Sequence, residues 1–116
     1  MTFTIEVLLK GQQDVVVESV HHDSHPDTWT DDDVRAVLQL ALSEFGRAQN
    51  PKTEQRRVQL RGLSWIVTPL EQGVAIAIEI PSGAVVAGPF QVDRKWLTQA
   101  VTRVMAAAAT ETNRTH

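Results

Sequence analysis

Hydrophobic residues alternate with polar or small ones in several short stretches of the chain, and this period of two predicts β-strands. The clearest stretch is 74–80, where branched residues take every second position around Ala75, Ala77 and Glu79. A strand that is apolar on one side and carries mostly small residues on the other is typical of the middle of a sheet. We therefore expect residues 74–80 to form an interior strand.

The same alternation predicts strands on both sides of this one. Residues 3–9 alternate cleanly, and residues 15–20 should pair back on them as a hairpin across the turn at Gly11. The 15–20 segment is rich in β-branched residues but alternates poorly, so its inward face stays undetermined. Further strands are predicted at 57–61, 63–68 and 84–92. Pro89 lacks an amide hydrogen, which predicts that the last strand lies at a sheet edge or ends near Gly88.

An amphipathic helix is predicted after residue 30. Thr30 has the character of an N-cap, and the aspartates at 31–33 place negative charge in the first turn, where the helix dipole favours it. Trp29 and Val34 have the spacing of a hydrophobic staple. Apolar residues then recur at intervals of three and four until the Asn-Pro pair at 50–51, which ends the helix.

A second amphipathic helix follows Asp93, its predicted cap. Short turns between successive strands require antiparallel pairing. The sequence therefore predicts an α+β fold: an antiparallel sheet of five to six strands with two amphipathic helices packed on one face, in the order ββαβββ(β)α. We expect one domain at 1–109 and a frayed polar tail at 110–116.

The reverse face of this predicted sheet is less polar than a solvent-exposed face normally is. Leu8, Ile66, Ala75 and Ala77 should lie there, together with Val85 or Val86. Contiguous apolar surface of this kind often marks an interface. Because most soluble oligomers are two-fold homodimers, the simplest cover is a second copy of the chain. The alternative is a monomer whose loops or tail fold over this face.

Composition narrows the class of protein. The 116 residues suit one soluble domain that needs no disulfide or metal to fold. The chain has no cysteine, its N-terminal residues do not resemble a signal peptide, and it lacks a long apolar run, so we expect a cytoplasmic protein that does not span a membrane. A net charge of −3 disfavours nucleic acid as a partner unless a local basic patch provides the attraction.

One candidate metal site lies in the connection before the first helix. His21, Asp23 and His25 would project to the same side of an extended segment, and imidazole and carboxylate are ligands of zinc and iron(II). Further ligands would have to come from elsewhere in the chain. The alternative is a solvated polar loop in which histidine lies near the acidic helix start.

One candidate anion site lies on the predicted strand at 57–61. Arg57 and Arg61 would share its outward face at about 13 Å separation, a spacing compatible with two phosphates of a nucleic-acid backbone. No aromatic residue alternates with them to stack on bases. The alternative is a pair of outward charges that discourages aggregation at a strand edge.

Three tryptophans, Trp29, Trp65 and Trp96, should point into one core. Together they could line a small-molecule pocket, in which an indole N–H would serve as a donor. The simpler interpretation, which we favour, is that they are large core residues that fill space.

Motifs for nucleophilic catalysis and phosphate binding are absent from the sequence, so we lean against an enzyme and expect no cofactor. The best interpretation is a non-catalytic, homodimeric binding module for a protein partner or a small apolar ligand. Two alternatives stay open: a metal-dependent enzyme that uses the histidine cluster, and a weak nucleic-acid binder that uses the two arginines.

Overall fold

The computed structural model describes residues 2–49, 60 and 63–114. These residues form a five-stranded antiparallel sheet and two helices, which confirms the α+β class. The elements, in chain order, are β1 (Thr2–Leu9), β2 (Val15–His21), a 3-10 turn (Pro26–Thr28), α1 (Asp31–Gln49), β3 (Ser64–Leu70), β4 (Gly73–Ile80), β5 (Gly83–Phe90) and α2 (Arg94–Arg114).

The strand order across the sheet is β2-β1-β5-β4-β3. Strand β4 therefore lies between β5 and β3, and its predicted interior position is confirmed. The hairpin of β1 and β2 is also confirmed, with Val7 opposite Val16 and Leu8 opposite Val15. Sequence neighbours pair through short turns, and one long-range pairing, between β1 and β5, joins the two halves of the sheet.

Strand β5 lies in the middle of the sheet, so the edge position predicted from Pro89 is wrong. The register between β4 and β5 shifts by one residue, since Val74 pairs with Phe90 but Ile76 pairs with Ala87. Pro89 lies in the resulting bulge, where a missing amide hydrogen is tolerated because the ladder is already interrupted.

The residues of the bulge make close contacts with both neighbouring strands. The hydroxyl of Thr4 on β1 donates a hydrogen bond of 2.9 Å to the carbonyl of Gly88. A Cβ atom on Gly88 would lie 3.1 Å from the Cβ of Ala75 on β4, so these two residues are in close contact. The side chain of Thr4 thus satisfies a carbonyl in the interrupted part of the ladder.

Both helices lie on one face of the sheet, as predicted. Helix α1 packs on β1, on β5 and on α2, and α2 also packs on β3. Phe90 lies at the centre of this core, with its ring centroid 5.0 Å from the ring centroids of both Phe3 and Trp29. The other fully buried large side chains are Ile5, Val7, Val34, Val37, Leu38, Ile76, Ile78, Val85, Leu97 and Val101.

The start of α1 is confirmed in detail. The amide of Asp33 donates to Oγ1 of Thr30 at 3.3 Å, and the carboxylate of Asp33 accepts from the amide of Thr30 at 2.9 Å. This is a reciprocal capping box, which satisfies two backbone donors that a helix start leaves open. The local sequence therefore fixes where α1 begins.

Helix α2 is capped by Asp93, whose carboxylate accepts from the amide of Trp96 at 2.9 Å. The helix continues to Arg114, so it includes most of the 110–116 segment that we expected to be a frayed tail. Among the described residues, no helix is both long enough and apolar enough to cross a membrane. The strand predicted at 57–61 lies outside the described residues apart from Leu60, which is buried.

Candidate interaction surface

We call the face of the sheet opposite the helices the open face. No other described element packs on it. Paired strand residues share a face, so the register assigns each side chain to one side. Four residues predicted on the open face differ in how much surface they offer. Leu8 and Ile66 are 42% and 61% exposed, Ala77 is half-buried, and Ala75 is buried under its neighbours at the bulge.

Ala75 thus contributes no surface to a partner, although we expected it in the dimer face. The centre of the open face is otherwise lined by the small or half-buried side chains of Ala77, Ala84 and Val86. Polar residues are interspersed with these. They are Thr4, Glu6, Ser64, Thr68 and Glu79.

Exposed apolar side chains are concentrated at one edge of the sheet. Of the six large hydrophobic residues that are exposed within the described part of the chain, four lie at the β1–β2 edge and two, Ile66 and Leu70, lie on β3. We call these four the β2 patch: Leu8, Val15, Val16 and Val17. The register places Val17 opposite Glu6 on the open face, whereas Val16 lies opposite Val7 on the helix-bearing face. The patch therefore wraps around both sides of the edge strand.

The width of the helix layer explains why β2 is uncovered. Two helices, each about 10 Å across, cover about 20 Å, whereas five strands about 4.8 Å apart occupy about 24 Å. The helices pack over β1, β5 and β3, so β2 lies beside the layer and not beneath it. Six of the seven residues of β2 are exposed in consequence.

A cleft lies between β2 and the end of α1 on the helix-bearing side. It has a volume of about 320 Å³ and is lined by Val16, Glu18, Glu44, Arg47 and Ala48. Within it, a guanidinium nitrogen of Arg47 lies 2.9 Å from a carboxylate oxygen of Glu44. The cleft therefore combines two apolar side chains with two carboxylates and one guanidinium beside the outermost strand.

A shallow groove of about 690 Å³ occupies part of the open face. Leu8 lines it from β1, and Ile66 and Ala77 line it from β3 and β4. These are three of the four residues that we predicted for a dimer face. The groove opens widely to solvent, and its polar lining includes Lys10, Gln12, Ser64 and Glu79.

A depression of about 1040 Å³ lies elsewhere and is lined by both polar and apolar residues, among them His25, Glu71 and Asp93. The carboxylate of Asp93 is engaged in capping α2. The chemical groups of this depression are thus partly committed to structure.

The histidine segment adopts a turn before α1. Nε2 of His21 lies 3.5 Å from the carboxylate of Asp23, and both side chains are well exposed. His22 is the more buried histidine: its Nδ1 accepts from the amide of Ser24 at 3.1 Å, and its ring contacts that of Trp29. Within residues 2–49, 60 and 63–114, no three His, Asp or Glu side chains are grouped so that they could hold a metal ion. The arrangement therefore does not support the His21, Asp23 and His25 site.

The three tryptophans do not share any of the cavities described above. Trp65 is among the residues that line the open-face groove, and Trp29 and Trp96 are not. Trp29 is a buried core residue, and Trp65 and Trp96 pack against the core. The indole N–H of Trp29 donates to the carbonyl of Ser24 at 3.1 Å, so this donor is already used within the chain. The packing supports the core interpretation for these residues.

Arg57 and Arg61 lie outside the described residues, so the anion-binding hypothesis has no structural description. The best-defined ion pair elsewhere joins the two helices: Arg103 on α2 donates to both carboxylate oxygens of Asp31 on α1, at 2.9 to 3.3 Å. These hydrogen bonds, with a smaller Coulomb contribution from the same guanidinium, hold the pKa of Asp31 below its ordinary value.

Sequence reasoning missed Val15, Val16 and Val17 as surface residues. A signal was present, because a run of valines without clean alternation is what a strand exposed on both faces can have. Burial of one face selects for alternation, and β2 has no buried face.

The fold defines a class only broadly: an antiparallel sheet with two helices on one face, an open opposite face and an uncovered edge strand. Comparison with protein-family models, with curated proteins and with solved structures finds no match to this chain.

Proposed function

We propose that this protein is a non-catalytic interaction domain that works as a homodimer, and that the β2 patch is its self-association surface. One observation carries the proposal: four of the six exposed large hydrophobic residues in the described part of the chain lie together at the β1–β2 edge, whereas the other two lie on β3. Scattered apolar residues are normal on a protein surface, whereas a contiguous group tends to mark an interface.

The proposal keeps the homodimer that the sequence suggested but moves its centre. The predicted face consisted of Leu8, Ile66, Ala75 and Ala77, of which Ala75 is buried and Ala77 half-buried. The β2 patch keeps Leu8 and combines it with neighbouring side chains on β2, of which Val17 is the most exposed at 55%. A second copy is favoured as the occupant because two-fold homodimers are the commonest soluble oligomers.

A small apolar ligand has less support as an occupant. The open-face groove is shallow and wide, whereas small-molecule sites usually enclose most of the ligand. The cytoplasmic location expected from the cysteine-free composition remains part of this proposal.

Sedimentation equilibrium of the full chain over a range of concentrations tests the proposal. We expect a dimer whose dissociation constant rises more than about tenfold in Val17→Lys, because an ammonium group within the patch resists desolvation. Ile66→Lys is the matched control, since Ile66 is similarly apolar and exposed but lies on β3, at the opposite edge of the sheet.

A wild-type chain that stays monomeric at all concentrations would contradict the proposal. A dimer that is lost in Ile66→Lys but kept in Val17→Lys would retain the homodimer and assign it to the centre of the open face instead.

A further inference from the structure

Besides its exposed valines, β2 has backbone N–H and C=O groups to which another strand could hydrogen-bond. Among the described residues β2 pairs only with β1 and is the outermost strand of the sheet. In an antiparallel ladder alternate residues direct their N–H and C=O groups to one neighbour, so the remaining residues of β2 direct theirs out of the sheet.

Natural edge strands are usually protected against pairing with another chain by lysine, proline, a bulge or short length. Strand β2 is seven residues long, contains neither lysine nor proline, and pairs with β1 in unbroken register. Four of its residues are valine, and its one carboxylate is Glu18. This edge therefore has the features of a strand that accepts another strand.

We infer that β2 pairs antiparallel with β2 of a second copy, across a two-fold axis through Val17, so that two sheets join into one of ten strands. The inference rests on the proposed homodimer and specifies its geometry. A two-fold axis perpendicular to the sheet keeps the open faces of both copies on the same side, so apolar surface continues across the seam.

Charge selects this register over its neighbours. An axis through Glu18 would set that carboxylate directly opposite its own copy, which is unfavourable. An axis through Val16 would set Asp14 opposite Glu18 twice. With Val17 on the axis, Val16 lies opposite Glu18 and Val15 lies opposite Ser19, and the three exposed valines are all within the paired stretch.

The cleft beside β2 lies next to the proposed pairing. It is lined by Val16, Glu18, Glu44, Arg47 and Ala48 on the helix-bearing face. The guanidinium of Arg47 is already paired with Glu44 at 2.9 Å, and the Arg47 side chain is 49% exposed. Glu18 of the second copy, opposite Val16, would enter the same side of the sheet and share this guanidinium with Glu44.

Disulfide cross-linking tests the geometry, and the chain contains no native cysteine to interfere. Opposite residues of antiparallel strands have Cα atoms about 4.5–5.5 Å apart, within the range that a disulfide spans. We expect Val17→Cys to cross-link under mild oxidation more than about tenfold faster than Ile66→Cys, a control of similar exposure.

A pair of charge variants tests the register. Val16→Glu would face Glu18 of the second copy, and we expect its dissociation constant to rise more than about tenfold. Val16→Lys would face the same carboxylate and should retain the dimer. Circular dichroism and thermal melting of each variant monitor folding, which the partial exposure of Val16 should preserve.

The outcomes separate this inference from the proposed function. Fast cross-linking of Val17→Cys with opposite responses of the two Val16 variants supports pairing through β2. A wild-type dimer in which Val17→Cys cross-links no faster than Ile66→Cys overturns the edge pairing and leaves the homodimer standing. A wild-type chain that is monomeric throughout overturns both.

Discussion

The two outer strands of the described sheet differ in what covers them. Strand β3 lies under α2, so Val67 is buried and Trp65 packs against the core. Strand β2 lies beside α1, and Val16 and Val17 are 38% and 55% exposed. The strands are equal in length, at seven residues each, but β3 places a buried residue in the hydrophobic core, whereas β2 contributes only the partly buried Val20.

This difference shows that a sheet and its helix layer need not match in width. Two helices are wide enough to cover about four strands. Here they cover the part of the sheet that ends in β3 and leave β2 uncovered. The valines of β2 then gain little from folding of the isolated chain, since burial is what makes apolar residues stabilising. We attribute their presence to a second burial step, the association of two copies.

The largest expected effect is a difference in the free energy of unfolding between lysine substitutions in the two edge strands. Val67→Lys places an ammonium group in the core under α2 and should lower the free energy of unfolding by about 3 kcal/mol. Val16→Lys places the same group on the corresponding face of β2, where Val16 is 38% exposed, and should change it by less than about 1 kcal/mol. Urea unfolding at low protein concentration measures both, and equal losses would mean that the edges are alike.

A smaller effect is expected where the helix layer begins. Thr30→Ala removes the oxygen that accepts from the amide of Asp33 and should cost about 1 kcal/mol of stability. The dimer dissociation constant should stay unchanged, because this cap lies near His22, just beyond the end of β2, and not beside the exposed valines. Unfolding and sedimentation data on the one variant check both statements; a weakened dimer would couple the helix layer to the β2 edge.

The smallest effect is expected at the exposed ion pair between the helices. Arg103→Ala should lower the melting temperature slightly at neutral pH. Arg103 lowers the pKa of Asp31 in the folded chain, so its contribution is present above the unfolded pKa of Asp31 and is lost as pH falls through the lower folded pKa. Melting curves of wild type and variant should therefore converge in acid; a difference that persists there would assign Arg103 a packing role.

The sequence was sufficient for elements whose signals are local. The N-cap at Thr30, the Asp93 cap and the β1–β2 hairpin all depend on residues a few positions apart, and all are confirmed. Alternation also correctly placed β4 inside the sheet, where it pairs with β5 on one side and with β3 on the other.

Features set by long-range contacts were not predictable in the same way. The pairing of β1 with β5 places Pro89 mid-sheet, and only the bulge against β4 makes that position tolerable. Ala75 becomes buried through the same bulge. The candidate site was predicted in part: Leu8 and Ile66 are exposed as expected, but the exposure of β2 depends on the width of the helix layer, which no local pattern encodes.

Hydrogen exchange of backbone amides, compared at low and high protein concentration, tests most directly whether the β2 edge is a self-association surface. We predict that exchange in β2 slows as concentration rises, because its outward N–H groups gain partners in the second copy, while exchange in β3 stays the same. Exchange in β2 that does not depend on concentration, or protection that appears in β3 instead, would contradict this account.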